Sequence, residues 1–188
     1  DEPAPLSEHP TVSLEGADRP ALVVVGTGHH APTPDALEVL DDVAIVVDHD
    51  GTITGVHPRT SDDARTAIER AAEVVRLAPG QRVLPGLVDL HVHAPQWPQL
   101  GTGLDLPLER WLFEYTFPLE ARYADVAFAE SVYSHLVPTL VSHGTTTSVY
   151  HSSVHERATE LLAEQCLLAG QRAFVGRVAM DHPEGTPD

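Results

Sequence analysis

The sequence predicts an α/β chain in two parts. A mobile arm over residues 1–20 leads into a small β-rich segment over residues 21–85, and parallel β/α units follow over residues 86–188. Three observations support this. Short β-branched runs broken by glycine and proline fill residues 21–57, as strands and turns do. From residue 86 the pattern runs strand, helix, strand, helix, strand, and that alternation builds parallel sheets. Pro85-Gly86 interrupts the β run of residues 82–92 and marks the boundary between the parts.

Each element has a local reason. Residues 1–20 hold four prolines and many acids without a sustained period, which marks an unstructured arm. Residues 21–26 (ALVVVG) read as a buried strand. Residues 26–35 (GTGHHAPTPD) read as a loop, because Gly26, Gly28, Pro32 and Pro34 break any regular element. Residues 42–48 and 52–57 flank His49-Asp50-Gly51, and Asp-Gly between β-rich runs signals a hairpin. The same acids lack the further oxygen ligands of a calcium loop. Residues 61–76 read as a helix capped by Ser61, with Asp62 and Asp63 in its first turn and Pro79-Gly80 beyond it.

In the second part, Leu108 to Tyr115 repeat apolar residues at helical spacing. Asp125 caps a helix whose inner stripe is Val126, Ala129, Val132, Tyr133, Leu136, Val137 and Leu140, which Pro138 should kink and Gly144 ends. Residues 145–150 (TTTSVY) form a strand. Ser153 with Glu156 spells a capping box before a helix stopped at Gly170. Residues 172–180 form the last strand.

Composition narrows the function classes. The 188 residues carry 28 acids against 11 bases, a net charge of −17, and every base is arginine. Nucleic acid needs clustered cations, and an anionic membrane leaflet needs the same, so neither is an expected partner. No apolar run reaches the roughly 20 residues of a membrane span. Cys166 is the sole cysteine, which leaves no intrachain disulfide and suits a reducing cytoplasm.

Twelve histidines invite a metal reading. His9, His29, His30, His49, His57 and His182 fall in loops or strand ends, where they are solvated. His135 and His143 lie near a helix C-terminus and suit its dipole. His91 and His93 differ. Within VDLHVH, successive side chains alternate between faces, so Asp89, His91 and His93 share one face and Val88, Leu90 and Val92 the other. Two residues along a strand span about 6.6 Å, from which two imidazoles can lean onto one metal with bonds of about 2.0–2.1 Å. The aliphatic face suits packing beneath an outer helix.

Residues 85–93 (PGLVDLHVH) resemble the first barrel strand of the amidohydrolase superfamily, and the continuation HAPQ narrows the resemblance to the guanine deaminases. It continues through residues 101–122 (GTGLDLPLERWLFEYTFPLEAR), 144–147 (GTTT) and 171–181 (QRAFVGRVAMD). The resemblance implies the first three units of an incomplete (β/α)8 TIM barrel, preceded by a small β-sandwich-type segment. It implies Zn2+, one per complete site, with His91 and His93 as two ligands at the C-terminal end of the strand. It also implies that His93, Ala94, Pro95 and Gln96 line a guanine pocket, a carboxamide at Gln96 matching a purine edge that carries both donors and acceptors. Trp97 lines that pocket or packs beneath it.

Zinc-dependent hydrolysis of guanine to xanthine and ammonia is the implied reaction. The family's other ligands, its proton-shuttling glutamate and its purine-binding arginine come later in such chains. No catalytic residue is therefore assigned within residues 1–188, and the chain by itself is expected to be inactive. The expected homo-oligomer belongs to the full-length enzyme. Two other readings stand beside this one: a non-catalytic subunit completed by a partner chain, and a related amidohydrolase acting on another ring substrate.

Overall fold

The computed structural model describes residues 19–180. The expected arm lies almost wholly outside those residues, as do His9, His182 and the last eight residues. The chain divides into two compact units, one ending at Pro85 and the other starting at Gly86.

In the first unit, β1 (Leu22–Thr33) pairs antiparallel with β2 (Ala36–Val47), which pairs antiparallel with β3 (Ile53–Pro58). Helix α1 (Asp62–Arg70) follows, and β4 (Glu73–Arg76) then joins the free side of β1 in parallel. The sheet order is β3-β2-β1-β4. Val23, Val25, Ala44 and Val46 bury with Ala64, Ala67 and Ala71 to form the core. Where a sandwich-type segment was expected, the described residues form a single sheet backed by one helix.

Two local expectations are corrected here. Residues 26–35 are not a loop, because β1 runs through Thr33 and meets β2 across a turn at Pro34-Asp35. The breakers are absorbed as register shifts, one between Gly26 and Gly28 and one between His30 and Thr33. Such bulges are where a strand tolerates Gly and Pro. Gly26 has φ 154°, and a Cβ there would lie 2.8 Å from the Leu77 side chain, so the bulge requires glycine.

The expected helix over residues 61–76 also stops early. Its start is as read, with Ser61 Oγ accepting from the Ala64 N–H at 3.1 Å. At its end, the Arg19 guanidinium donates to the Arg70 and Ala71 carbonyls, satisfying acceptors that a helix terminus leaves open. The Ala72 and Glu73 N–H groups then turn to the carbonyls of Pro20 and Ala21. The β-branched pair Val74-Val75 gains a ladder against Val23 and Val24, and the helix gives way to β4.

The Asp-Gly turn forms as expected. Asp48 Oδ1 accepts from the N–H groups of Asp50 and Thr52, an Asx turn rather than a cation loop.

In the second unit, β5 (Leu87–His93), β6 (Thr145–His151) and β7 (Arg172–Gly176) form an all-parallel sheet in that order. A 3₁₀ turn (Ala94–Gln99) follows β5. A helical run comes next, made of α2 (Leu108–Trp111), a π-helical turn (Leu112–Thr116) and α3 (Phe117–Ala121). Helix α4 (Val126–Ser142) connects to β6, and α5 (Glu156–Leu168) connects β6 to β7.

Asp125 caps α4 as expected, its Oδ1 accepting from Ala127 and Phe128 N–H groups. The stripe Ala129, Val132, Tyr133, Leu136 and Val137 buries against Leu161, Leu162, Cys166 and Tyr150. Gly144 and Gly170 leave the helices at positive φ, the usual helix exit.

The expected capping box at α5 does not form. His155 takes the N-cap position without a side-chain hydrogen bond, while buried Ser153 accepts from the His155 N–H at 3.3 Å. The last strand ends at Gly176 rather than at residue 180.

Candidate metal and purine site

Three imidazoles gather at the C-terminal ends of β5 and β6. Alternation along β5 places His91 and His93 on one side, and their Nε2 atoms stand 3.0 Å apart. A one-residue bulge on β5, between Asp89 and Val92, falls at His91; bulges commonly re-aim a side chain beside a site. Asp89 Oδ1 accepts from the His91 N–H at 3.1 Å, so the carboxylate serves its own strand.

The opposite face of β5 is only partly covered. Val92 packs on the helical core, whereas Val88 and Leu90 are exposed. The expected packing of the whole aliphatic face beneath a helix is therefore limited to its last residue.

The third ring belongs to His151, which the sequence reading passed over. His151 pairs in register with His93, so both side chains emerge on the same face of a parallel sheet. Its ring stacks on His93 at 4.9 Å and 24°, and lies 4.7 Å from His91. The signal was present in sequence: Thr147, Val149 and His151 alternate on the strand TTTSVYH, ending level with His93.

A tetrahedral ion with bonds of about 2.0–2.1 Å separates its ligand atoms by about 3.3–3.4 Å, close to the 3.0 Å between the Nε2 atoms of His91 and His93. The pair therefore fits two positions of such an ion. Among the described residues, no three His, Cys, Asp or Glu side chains converge so as to hold a metal. His151 packs against the pair without completing it. Partial burial holds the His93 pKa below the usual histidine range, with His151 and His91 adding to the effect. This favours the neutral, ligating form.

The turn after His93 divides its residues between core and surface. Ala94 and Pro95 are buried, and the Pro95 carbonyl accepts from the buried Tyr123 hydroxyl at 2.9 Å. Gln96 is partly exposed, and its Nε2 donates to Glu120 Oε1 at 3.0 Å. Trp97 is partly buried and packs against the core cluster.

Several other described histidines have local partners. His135 and His143 contact the carbonyls of Ser131 and Thr139, four residues back on α4. His30 contacts Glu38 across the β1–β2 hairpin.

Comparison with known proteins fits this geometry. Residues 82–188 match the Amidohydrolase family. The chain is 38% identical over 168 residues to a guanine deaminase of Dictyostelium discoideum, covering 83% of this chain and 37% of the relative. It is 37% identical over 170 residues to that of Homo sapiens, covering 89% and 37%. The chain thus spans little more than a third of the length of these curated relatives.

Among solved structures, guanine deaminase from C. acetobutylicum with bound guanine in the active site matches with TM-score 0.72 and 32% identity, over 88% of this chain and 38% of that one. An adenosine deaminase from Xanthomonas campestris with bound zinc matches with TM-score 0.63 and 27% identity, over 82% and 33%. Parallel β/α units, paired strand-end histidines and a family match across more than half its length together make this chain a member of the amidohydrolase family.

Proposed function

We propose that this chain is the N-terminal third of a zinc-dependent guanine deaminase, with β5, β6 and β7 as the first three strands of its (β/α)8 barrel. The observation that carries this reading is the pair of Nε2 atoms 3.0 Å apart at the end of β5, followed at once by a turn on which Gln96 is partly exposed. Active sites of such barrels gather at the C-terminal ends of the strands. The guanine deaminases among the relatives support the substrate.

His91 and His93 would hold the metal through Nε2. A zinc ion bound there supplies Lewis-acid activation of water for attack on the amino-bearing carbon. The chain's own residues do the rest of what is visible here. Burial of Ala94 and Pro95 fixes the turn, and Gln96 offers hydrogen bonds to the purine edge. Two histidines fall short of the three protein ligands of a catalytic zinc site, so the chain alone is expected to turn over nothing.

The test is ammonia release from guanine by the complete enzyme that carries this chain, with xanthine identified as product. Adenosine in place of guanine as the preferred substrate would favour the reading of a related amidohydrolase. Activity appearing only when a separate second chain is added would favour the partner-completed subunit.

A further inference from the structure

The turn that carries Gln96 is fastened to the helical run behind it. Tyr123 donates to the Pro95 carbonyl at 2.9 Å, Gln96 donates to Glu120 at 3.0 Å, and Gln99 donates to Thr116 Oγ1 at 2.8 Å. Thr116 ends the π-helical turn, Glu120 lies in α3, and Tyr123 lies in a 3₁₀ turn (Arg122–Ala124) that follows it. Gln96 and Gln99 are three apart on a 3₁₀ turn, where such positions eclipse. Three hydrogen bonds therefore run in order between the two segments.

Of these, the contact at Glu120 does more than anchor. A carboxylate has acceptors only, so the group it binds on Gln96 is the NH2, and the amide cannot flip without losing the bond. What remains on Gln96 is the carbonyl Oε1 and one N–H. Glu120 is partly buried, and that burial holds its carboxyl above the usual carboxylate range, with the Gln96 hydrogen bond pulling partly back.

We propose that Glu120 is a positioning residue for substrate choice: it locks the Gln96 amide so that Oε1 is presented as an acceptor to a ring N–H. This rests on the reading of Gln96 as a purine contact. The class of ligand selected is a purine whose edge carries a donor, as guanine does. A ring with an acceptor at the same place meets Oε1 as a clash of lone pairs.

The experiment uses the complete enzyme with E120Q and, as a control, T116V. The amide introduced by E120Q is nearly isosteric but can donate as well as accept, so the lock is released. T116V removes a neighbouring fastening without touching the Gln96 amide. Gln96 contacts ground state and transition state alike, so E120Q should raise KM for guanine about tenfold with kcat within about twofold. It should also narrow the preference for guanine over 2-aminopurine, which lacks the N–H of guanine's six-membered ring.

T116V should lower the melting temperature while leaving that preference in place. E120Q with an unchanged KM and preference, or with changes no larger than those of T116V, overturns the proposal while the guanine reading stands. An unsubstituted enzyme that releases no ammonia from guanine sinks the reading itself, and the proposal with it.

Discussion

His151 shows how much one side chain contributes without being a ligand. Stacked on His93 and touching His91, it limits how far either ring can turn. Replacing it by alanine is expected to weaken zinc binding about tenfold in the complete enzyme, whereas His151→Phe keeps a flat ring in place and should bind nearly as the parent does. Competition against a chromophoric chelator measures both, and equal affinities for the alanine variant and the parent would count against the stacking role.

Cys166 poses a different question at the same scale. On α5 it is 3% exposed, and burial pushes its thiol pKa up to about 11. The unfolded chain's thiol ionises near about 8.5, so between those values the native state binds more protons than the unfolded one. Stability is then lost as pH rises through that window. Buried Tyr123 and Tyr133, also held above the usual tyrosine range by desolvation, add to the loss. A urea midpoint that falls steadily above about pH 9 is expected, along with a thiol that stays unlabelled at pH 8 until denaturant is added. Rapid labelling of the native protein would contradict the burial.

Among the elements, those whose signals are local were legible in sequence. Ser61 and Asp125 announce their helices through cap chemistry, and each makes the expected bond. Replacing Asp125 by alanine should cost about 0.5–2 kcal/mol, read from the denaturant midpoint; no change would mean that α4 is held by packing alone. Ser153-x-x-Glu156 had the same spelling but formed no box, because Ser153 is buried and His155 takes the cap position.

Residues 73–76 and 27–33 were misread for a related reason. Whether Val74-Val75 continues a helix or joins a sheet depends on β1 lying about fifty residues earlier in the chain. A bulged hairpin with Gly and Pro looks like a loop until its partner strand is known. The candidate site divides in the same way. His91, His93 and Gln96 stand close together in one motif, but Glu120 and His151 reach it only through folding. Nothing near Glu120 in sequence announces Gln96.

The second unit as a whole presents unfinished surfaces. Val88 is 59%, Leu90 68% and Phe174 66% exposed, and β5 and β7 are each paired on one side only. Exposed apolar strands of this kind pair with other chains, and a net charge of −17 opposes but does not abolish that tendency. The 188 residues taken alone are expected to sediment above 20.3 kDa and to bind a hydrophobic dye. A monodisperse monomer that binds none would contradict the reading of these faces as a barrel wall awaiting its neighbours. No helix among the described residues is long and apolar enough to cross a membrane, so burial in lipid as a spanning helix is not the alternative.

What joins the scales is the proposal that two imidazoles from one strand hold a metal. It is tested most directly by zinc content, measured by mass spectrometry on the complete enzyme and on its H91A/H93A variant after dialysis. About one zinc per parent chain and less than about a tenth as much in the variant is the expected result. A folded variant that keeps its full complement of zinc would contradict it.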